Sequence, residues 1–524
     1  MRERLKVDGF EGAVLALTLS FGFAVLGALV VRTWIRGGAV TGADGFVAVD
    51  QLQYIDWLQQ SGRHVLIGNL NDLAPVQRVF LHPGALLGGV GARLGLDPAA
   101  AFAVWKPISA VAIFAAALAW VRRFLSQNGD RRLALVLALF AISPIAAGAS
   151  WLGLGDAAVR LQLDFITGEL WTATYLWGYP FTAIAVALMP AALLAYERGR
   201  DGGPASRKWL AASAVLACTW LQPWQGATLL LALAGAEAWA VAGARRSWRG
   251  AAADLVLPAA AAAAPAAYYL ILSKTVPAWE LVGRANAGGS VPWWVLALVL
   301  MPVALPALPG LRAPVPDFGI AVLRAWPVAA LVVYLQPAGT FPAHALQGLA
   351  FPLAVLGVLS MRRALGDRAV PPAAIATVAA VLLLPGLAAR VADIRSAVDR
   401  GYQPYVMADG ERSALAYLAR APKGGVLASG FAGPLVPAYA GRQTWVGSMS
   451  WTPDYDRRRS LADRLLDGKL TPAQAAAVLR RSRARYVLVD CQGRAPADGI
   501  FPAGTVAVAG RFGCATVLRV AGAG

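Results

Sequence analysis

Cysteine and histidine are scarce in this chain, three of each in 524 residues. Cys218, Cys491 and Cys514 are too few for a disulfide scaffold or a Cys-rich metal site. His64, His82 and His344 form no metal-ligand spacing with them or with one another. Charge is also thin. Only 15% of residues are charged, against about 25% in an average soluble protein. With 58% hydrophobic residues, that shortage excludes one large water-soluble enzyme and excludes disorder. No Walker A loop occurs, so ATP-driven transport has no support. No G-x-S-x-G elbow occurs either. Inside the apolar runs there is no series of carboxylates or histidines. Glu237, Asp254 and Arg324 alone approach a run, each near its end, so ion conduction and proton coupling are disfavoured.

What the chain does have is long apolar runs. A helix needs about 20 apolar residues to cross a bilayer. Eleven segments come near this: 12–31, 99–121, 133–151, 173–196, 209–222, 226–243, 252–272, 291–308, 325–337, 347–361 and 370–389. The first is long and lacks a small-residue cleavage site, so it reads as an anchor. The expectation is an α-helical polytopic membrane protein of about eleven transmembrane helices.

The formal net charge is +18. On a soluble chain it would suggest nucleic acid; on a membrane chain it locates the cytoplasmic edge. Basic clusters occur at Arg2/Arg4/Lys6, Arg122–Arg132, Arg198–Lys208, Arg245–Arg249, Arg312/Arg324 and Arg362–Arg368. Placing all of them inside requires an even number of crossings between successive clusters. Only 12–31 and 99–121 can then cross between the first two. The segment 79–96, broken by Pro83 and five glycines and carrying Arg93, must therefore lie along the interface or re-enter. The N-terminus falls inside, the C-terminus outside, and the first outer loop runs over 34–98. Tryptophans at span ends, among them Trp34, Trp151, Trp209 and Trp293, form an aromatic belt.

Two regions result: a membrane domain over 1–392, and a polar, Lys/Arg-rich extracytoplasmic module over 393–524. The module reads as small α/β. Helices are expected over 411–421, 453–468 and from the capping box Thr471–Gln474 to Arg481. Strands are expected at 425–429, 485–490 and 514–520, and the alternation predicts a mainly parallel sheet. Outside the cell, Cys491 and Cys514 in one small domain favour a disulfide over two separate buried thiols. Cys218 lies mid-span and reads as packing.

Chemistry is expected in the outer segments. Asp44 and Asp50 follow the first span closely, where a carboxylate can serve as general base or bind a cation or amide. Asp50 opens a stretch with Leu52, Ile55 and Leu58 at helical spacing, so it also reads as a helix cap, and Asp44 before Gly45 as a turn residue. Asp56 and Asp72 read as solvated. The hairpin at Gln222, Trp224 and Gln225 suits sugar stacking and hydroxyl hydrogen bonds, or a belt. His344 is suited to a phosphate or to a helix end; His82 before Pro83 reads as structural and His64 as exposed.

Several of these stretches together resemble the GT-C superfamily of integral-membrane glycosyltransferases, in particular an actinobacterial-type branch with a C-terminal extracytoplasmic domain. They are Asp50–Trp57, Asn69, Phe80-Leu81-His82-Pro83-Gly84, Gln347-Gly348-Leu349-Ala350-Phe351-Pro352-Leu353, Gly447–Tyr455 and Arg485–Val489. The resemblance implies sugar transfer from a polyprenyl-phosphate donor to a glycan, lipid or protein acceptor on the outer face of the plasma membrane, by direct inverting attack. It implies Asp50, with Asp44 second, as base and Glu169 as a further acidic residue. Tyr54, Asn69, His82, Gln222, Trp224, Gln225, His344 and Gln347 would bind substrate. Relatives often carry His-Pro where this chain has Gln222-Pro223, and Arg where it has His344. A divalent cation, Mg or Mn, is compatible with the family but not indicated by spacing. Membrane lipids are expected partners and nucleic acid is not. Two other classes stay open: a non-catalytic glycolipid-binding envelope-assembly protein, and a lipid-linked transporter or flippase.

Overall fold

The computed structural model describes residues 7–287, 291–312, 314–336, 340–366, 368, 371–492 and 500–522. The basic residues Arg2, Arg4 and Lys6 lie outside them. The protein is a mostly helical polytopic membrane protein with a small C-terminal mixed sheet. Among the described residues, eight helices are long and apolar enough to cross a bilayer: Gly9–Arg36, Pro98–Phe124, Pro180–Gly199, Pro223–Ala242, Trp248–Thr275, Trp293–Leu311, Phe318–Leu335 and Ala373–Asp399. A bent pair raises the number to nine.

The count is lower than eleven for local reasons. The 133–151 run is two helices, Asn128–Phe140 and Ile145–Trp151, which meet at 53°. Between them the Ile142 N–H donates to the Leu382 carbonyl at 2.8 Å instead of to its own helix. Runs 209–222 and 347–361 become helices of 17 and 16 residues, Ala205–Leu221 and Ala350–Leu365. At about 1.5 Å per residue these reach about 24–26 Å, short of the roughly 30 Å hydrocarbon layer. The segment 79–96 yields only the eleven-residue helix Pro83–Arg93. At about 16 Å it is too short to span.

The chain forms two compact units. The first comprises Met1–Gly22, Lys106–Leu270 and Ala287–Ala392; the second comprises Phe23–Trp105, Ile271–Asn286 and Asp393–Gly524. The second unit groups the long first loop with the C-terminal residues. In the first unit several members of the basic clusters are ion-paired. Glu237, fully buried, accepts from Arg200 at 3.0 Å and from the Tyr196 hydroxyl at 2.8 Å, and pairs with Arg246. Asp254 takes Lys208 at 2.5 Å and Arg246. Arg123 is shared by Glu197 and Asp317.

In the second unit, strand β1 (Ala39–Val40) pairs antiparallel with β2 (Val406–Met407), which fastens the start of the loop to the C-terminal segment. The Thr41 hydroxyl donates to the Pro404 carbonyl at 2.6 Å and extends this seam. The C-terminal sheet has the order β3-β4-β6-β5, with β3 Val426–Leu427, β4 Tyr486–Val489, β5 Val506–Phe512 and β6 Ala515–Val520. Only β3 and β4 are parallel. The expectation of a mainly parallel sheet is corrected, because β5 and β6 form a hairpin turning at Gly513 (φ 60°). Helices Tyr455–Leu466 and Pro472–Ser482 bury Leu465, Leu466, Val478 and Leu479 in one core with Leu427, Val487 and Leu518. The Thr471–Gln474 capping box is formed in both directions. Cys491 and Cys514 are disulfide-bonded, with Cα atoms 5.1 Å apart. Cys218 is free and buried.

Candidate functional site

Five of the residues singled out from the sequence converge in the first unit. Glu169 lies in the last turn of the helix Ala157–Leu170. His344 sits in the short 3-10 turn Pro342–Leu346, entered through Phe341 in the left-handed region (φ 49°), and Gln347 caps its end. Gln225 and Trp224 occupy the first turn of the helix Pro223–Ala242, with Pro223 at its start, where a missing N–H is harmless. One oxygen of Glu169 lies 3.0 Å from His344 Nδ1 and accepts from Gln347 Nε2 at 2.7 Å. Gln225 Nε2 donates to Gln347 Oε1 at 2.7 Å and to the His344 carbonyl at 2.6 Å. Trp224 Nε1 donates to the Thr340 carbonyl at 2.6 Å. Its ring meets the imidazole edge to face at 4.9 Å, Phe341 stacks on the imidazole at 5.0 Å, and the Trp224 and Phe341 rings meet each other edge to face at 5.8 Å.

This is a graded site. Gln225 and Gln347 are buried, whereas the Glu169 and His344 side chains keep 12% and 23% exposure. Nδ1 faces both the Glu169 carboxylate at 3.0 Å and the Gln347 Nε2 amide at 3.3 Å. The Tyr175 hydroxyl donates to the Glu169 carbonyl. Burial, then the Glu169 charge, pushes its phenol well above the usual range. Gln222 lies apart from this set: it caps the same helix and its Nε2 donates to the Thr182 hydroxyl at 2.9 Å. The Gln225 Oε1 atom is buried and has no hydrogen-bond partner.

The remaining residues belong to the second unit. Asp44 is fully buried, in a turn whose Asp44 and Gly45 N–H groups both donate to Gln51 Oε1, at 2.7 and 2.9 Å. The Tyr405 hydroxyl closes the turn on the Gly45 carbonyl at 2.8 Å. Asp50 is half-buried in the first turn of the helix Ala48–Ser61, whose N-cap is Val47 rather than Asp50. A carboxylate there still complements the helix dipole. Tyr54, one turn on, contacts the rings of Trp57 and His82. Asn69 Nδ2 donates to the Trp451 carbonyl at 2.9 Å. His82 is buried and caps the helix Pro83–Arg93 by accepting the Ala85 N–H on Nδ1 at 3.0 Å. Burial alone drops its pKa to about 3. His64 is exposed.

Two expectations are corrected. Asp56 is 1% exposed rather than solvated, and accepts from Gln53 Nε2 at 3.1 Å and from Gln60 Nε2. Gln53 Oε1 in turn accepts from Asn71, whose Oδ1 takes the Ser448 N–H. Desolvation raises the Asp56 pKa to about 7, against the pull of those hydrogen bonds and of Arg78. Asp72 is half-buried and paired with Arg458 at 2.7 Å. Sequence reading also missed two buried cations in the first unit. Lys106 donates to the Gly22 and Leu176 carbonyls at 3.1 and 3.0 Å, and Arg390 pairs with Asp164 at 2.7 Å on the helix that carries Glu169. Lys106 interrupts the 99–121 run and Arg390 directly follows the 370–389 run, and a charge at such a place is the signal that could have found them. No group of three or more His, Cys, Asp or Glu side chains able to hold a metal occurs among the described residues.

No protein-family model and no curated protein matches the chain. Solved structures do. The archaeal oligosaccharyltransferase AglB from Archaeoglobus fulgidus, in complex with an inhibitory peptide and a dolichol-phosphate, superposes with a TM-score of 0.51 at 12% identity. The match covers 92% of this chain and 70% of that one. The apo form of the Archaeoglobus fulgidus oligosaccharyltransferase gives 0.50 at 12% identity, over 92% and 70% of the two chains. The form tethered to an acceptor peptide containing the NVT sequon gives 0.50 at 12% identity, over 92% and 69%.

Proposed function

From this shared fold, that of a GT-C membrane glycosyltransferase, we propose that the chain transfers a sugar from a polyprenyl-phosphate donor to an acceptor at the outer face of the membrane. The observation that carries the reading is the convergence of Glu169, His344, Gln347, Gln225 and Trp224 from segments far apart in the chain. A carboxylate-held imidazole suits a lipid-phosphate leaving group, whose charge grows as the glycosidic bond breaks. The two glutamines orient that pair, and Trp224 and Phe341 wall it.

The chemistry needs few groups. An acceptor hydroxyl attacks the anomeric carbon, the bond to the phosphate oxygen breaks, and the polyprenyl phosphate departs. Asp50 takes the hydroxyl proton as general base. Asp50 is preferred to Asp44 because it is half-buried at a helix start, whereas Asp44 is buried in its turn. Tyr54 and Asn69 contact substrate in this reading. The N-terminus is cytoplasmic and the C-terminal module extracytoplasmic.

The test is Asp50→Asn in membranes supplied with labelled polyprenyl-phosphate sugars. Transfer is expected in the native protein and lost in the variant. Transfer that survives the change removes Asp50 from its role, and a donor that is never consumed removes the transferase reading. Labelling of Lys423→Cys from outside intact cells tests the orientation; Lys423 is exposed, and Cys218 is buried.

A further inference from the structure

The first helix ends in a cleft of about 380 Å³ within the second unit. Arg32 and Arg36 line it, with the Gly37-Gly38 turn, Gln403, Asp409 and Phe431. The two arginines are four residues apart and so lie on one helix face, one turn from each other. They differ from the ion-paired arginines of the first unit. Arg122, Arg123, Arg200, Arg246 and Arg390 each hold a carboxylate. Arg32 and Arg36 make no ion pair or hydrogen bond among the described residues, and Arg32 Nε is buried without a partner. Asp409, the acid in the wall, already lies 3.2 Å from Arg412. A basic residue in a last helical turn complements the helix dipole and needs no ligand. That accounts for Arg36 but leaves the buried Nε of Arg32, a turn earlier, without an acceptor.

The cleft is built rather than incidental. Gly38 has φ +92°, and a Cβ there would stand 2.7 Å from the Met407 carbonyl oxygen, so the turn is fixed against β2. Its depth in the membrane is marked by Val30, Val31, Trp34 and Ile35, which are exposed apolar residues beside the arginines; Trp34 is 86% exposed. An exposed tryptophan at the end of a span marks the headgroup level. Guanidinium groups bind phosphate oxygens in forked pairs.

We propose that this cleft binds the phosphate of an anionic phospholipid headgroup through Arg32 and Arg36, a site independent of the transferase reading. The test uses the full-length protein in detergent, with dioctanoyl phosphatidylglycerol, dioctanoyl phosphatidylcholine and inorganic phosphate as probes. Native mass spectrometry counts bound lipid and thermal unfolding reports protection. Phosphatidylglycerol is expected to bind and raise Tm, and its affinity should fall about 30-fold in R32Q/R36Q, at about 1 kcal/mol per basic residue. R32K/R36K, which keeps the charge but loses the fork, should bind more weakly than the native protein and more tightly than R32Q/R36Q. If the double glutamine variant does not fold, R36Q alone, altering an exposed side chain, should still show a fall of about fivefold. Unchanged phosphatidylglycerol binding in the glutamine variants overturns the proposal. So does equal binding of phosphatidylcholine, or equal protection by inorganic phosphate, which would make the ligand a free anion.

Discussion

Asp56 and His82 lie in the same unit and shift in opposite directions, so their effects on stability should hide each other. Asp56 moves from an ordinary 3.8 to about 7. Between these values the folded state holds a proton that the unfolded chain has lost. Its contribution is full below pH 3.8 and disappears as pH rises to about 7, at about 1.4 kcal/mol per pH unit and about 4 kcal/mol in all. His82 moves from 6.5 down to about 3. There the unfolded chain holds the extra proton, so stability rises with pH over that window at the same rate of about 1.4 kcal/mol per unit. From pH 4.5 to 6.0 the two slopes cancel. Asp56→Asn should unmask the histidine, so that its stability relative to the native protein gains about 2 kcal/mol across that interval. His82→Asn, which keeps an N-cap acceptor for Ala85, should lose about 2 kcal/mol over the same interval. Hydrogen exchange of the amides of Ala48–Ser61 and Pro83–Arg93, corrected for intrinsic rates, measures these local opening free energies. Two variants with flat differences, or with slopes of the same sign, would refute the reasoning.

Further outcomes follow from the same contacts. Asp50→Asn should lower sugar transfer at least about 100-fold, the usual worth of a general base, with little change in thermal stability. Glu169→Gln removes a charged acceptor shared by His344 and Gln347. At about 1.5–3 kcal/mol for such a bond it should lower kcat/KM for the donor about 10- to 100-fold, and His344→Arg should lose less activity than His344→Asn. Reduction of the Cys491–Cys514 disulfide, which closes 23 positions of sequence, should lower the stability of the C-terminal module by about 3 kcal/mol. Thermal unfolding with and without reductant, against a Cys491→Ser/Cys514→Ser control, reads that change.

How much of this was legible beforehand depended on range along the chain. The capping box at Thr471 and the helix after Pro83 are written in a few adjacent residues, and both appear where those residues predict them. The break in the 133–151 run has a local mark in Pro144, the N-cap of the second helix, but the acceptor of the freed Ile142 N–H, the Leu382 carbonyl, is some 240 positions away. Asp56 reads as solvated in a polar stretch, and only the arrival of Gln53, Gln60 and Asn71 around it shows otherwise. Of the outer polar residues, Glu169 and His344 could be named singly, but their 3.0 Å approach bridges 175 positions.

Composition and apolar length determined that this is a helical membrane protein, because the bilayer tests each segment on its own residues. The placing of the basic clusters, with Pro83 and the glycines, predicted that 79–96 does not cross, and the helix there has only eleven residues. Tertiary structure decided the rest. It gave the C-terminal sheet its mostly antiparallel order, packed the first loop with the tail through β1 and β2, and neutralised the buried arginines with distant acids. It also left Arg32 and Arg36 without an ion pair among the described residues, on a cleft whose acid, Asp409, lies beside Arg412. The reason is that periodicity is a local property, whereas burial and the choice of partner depend on which segments meet in space.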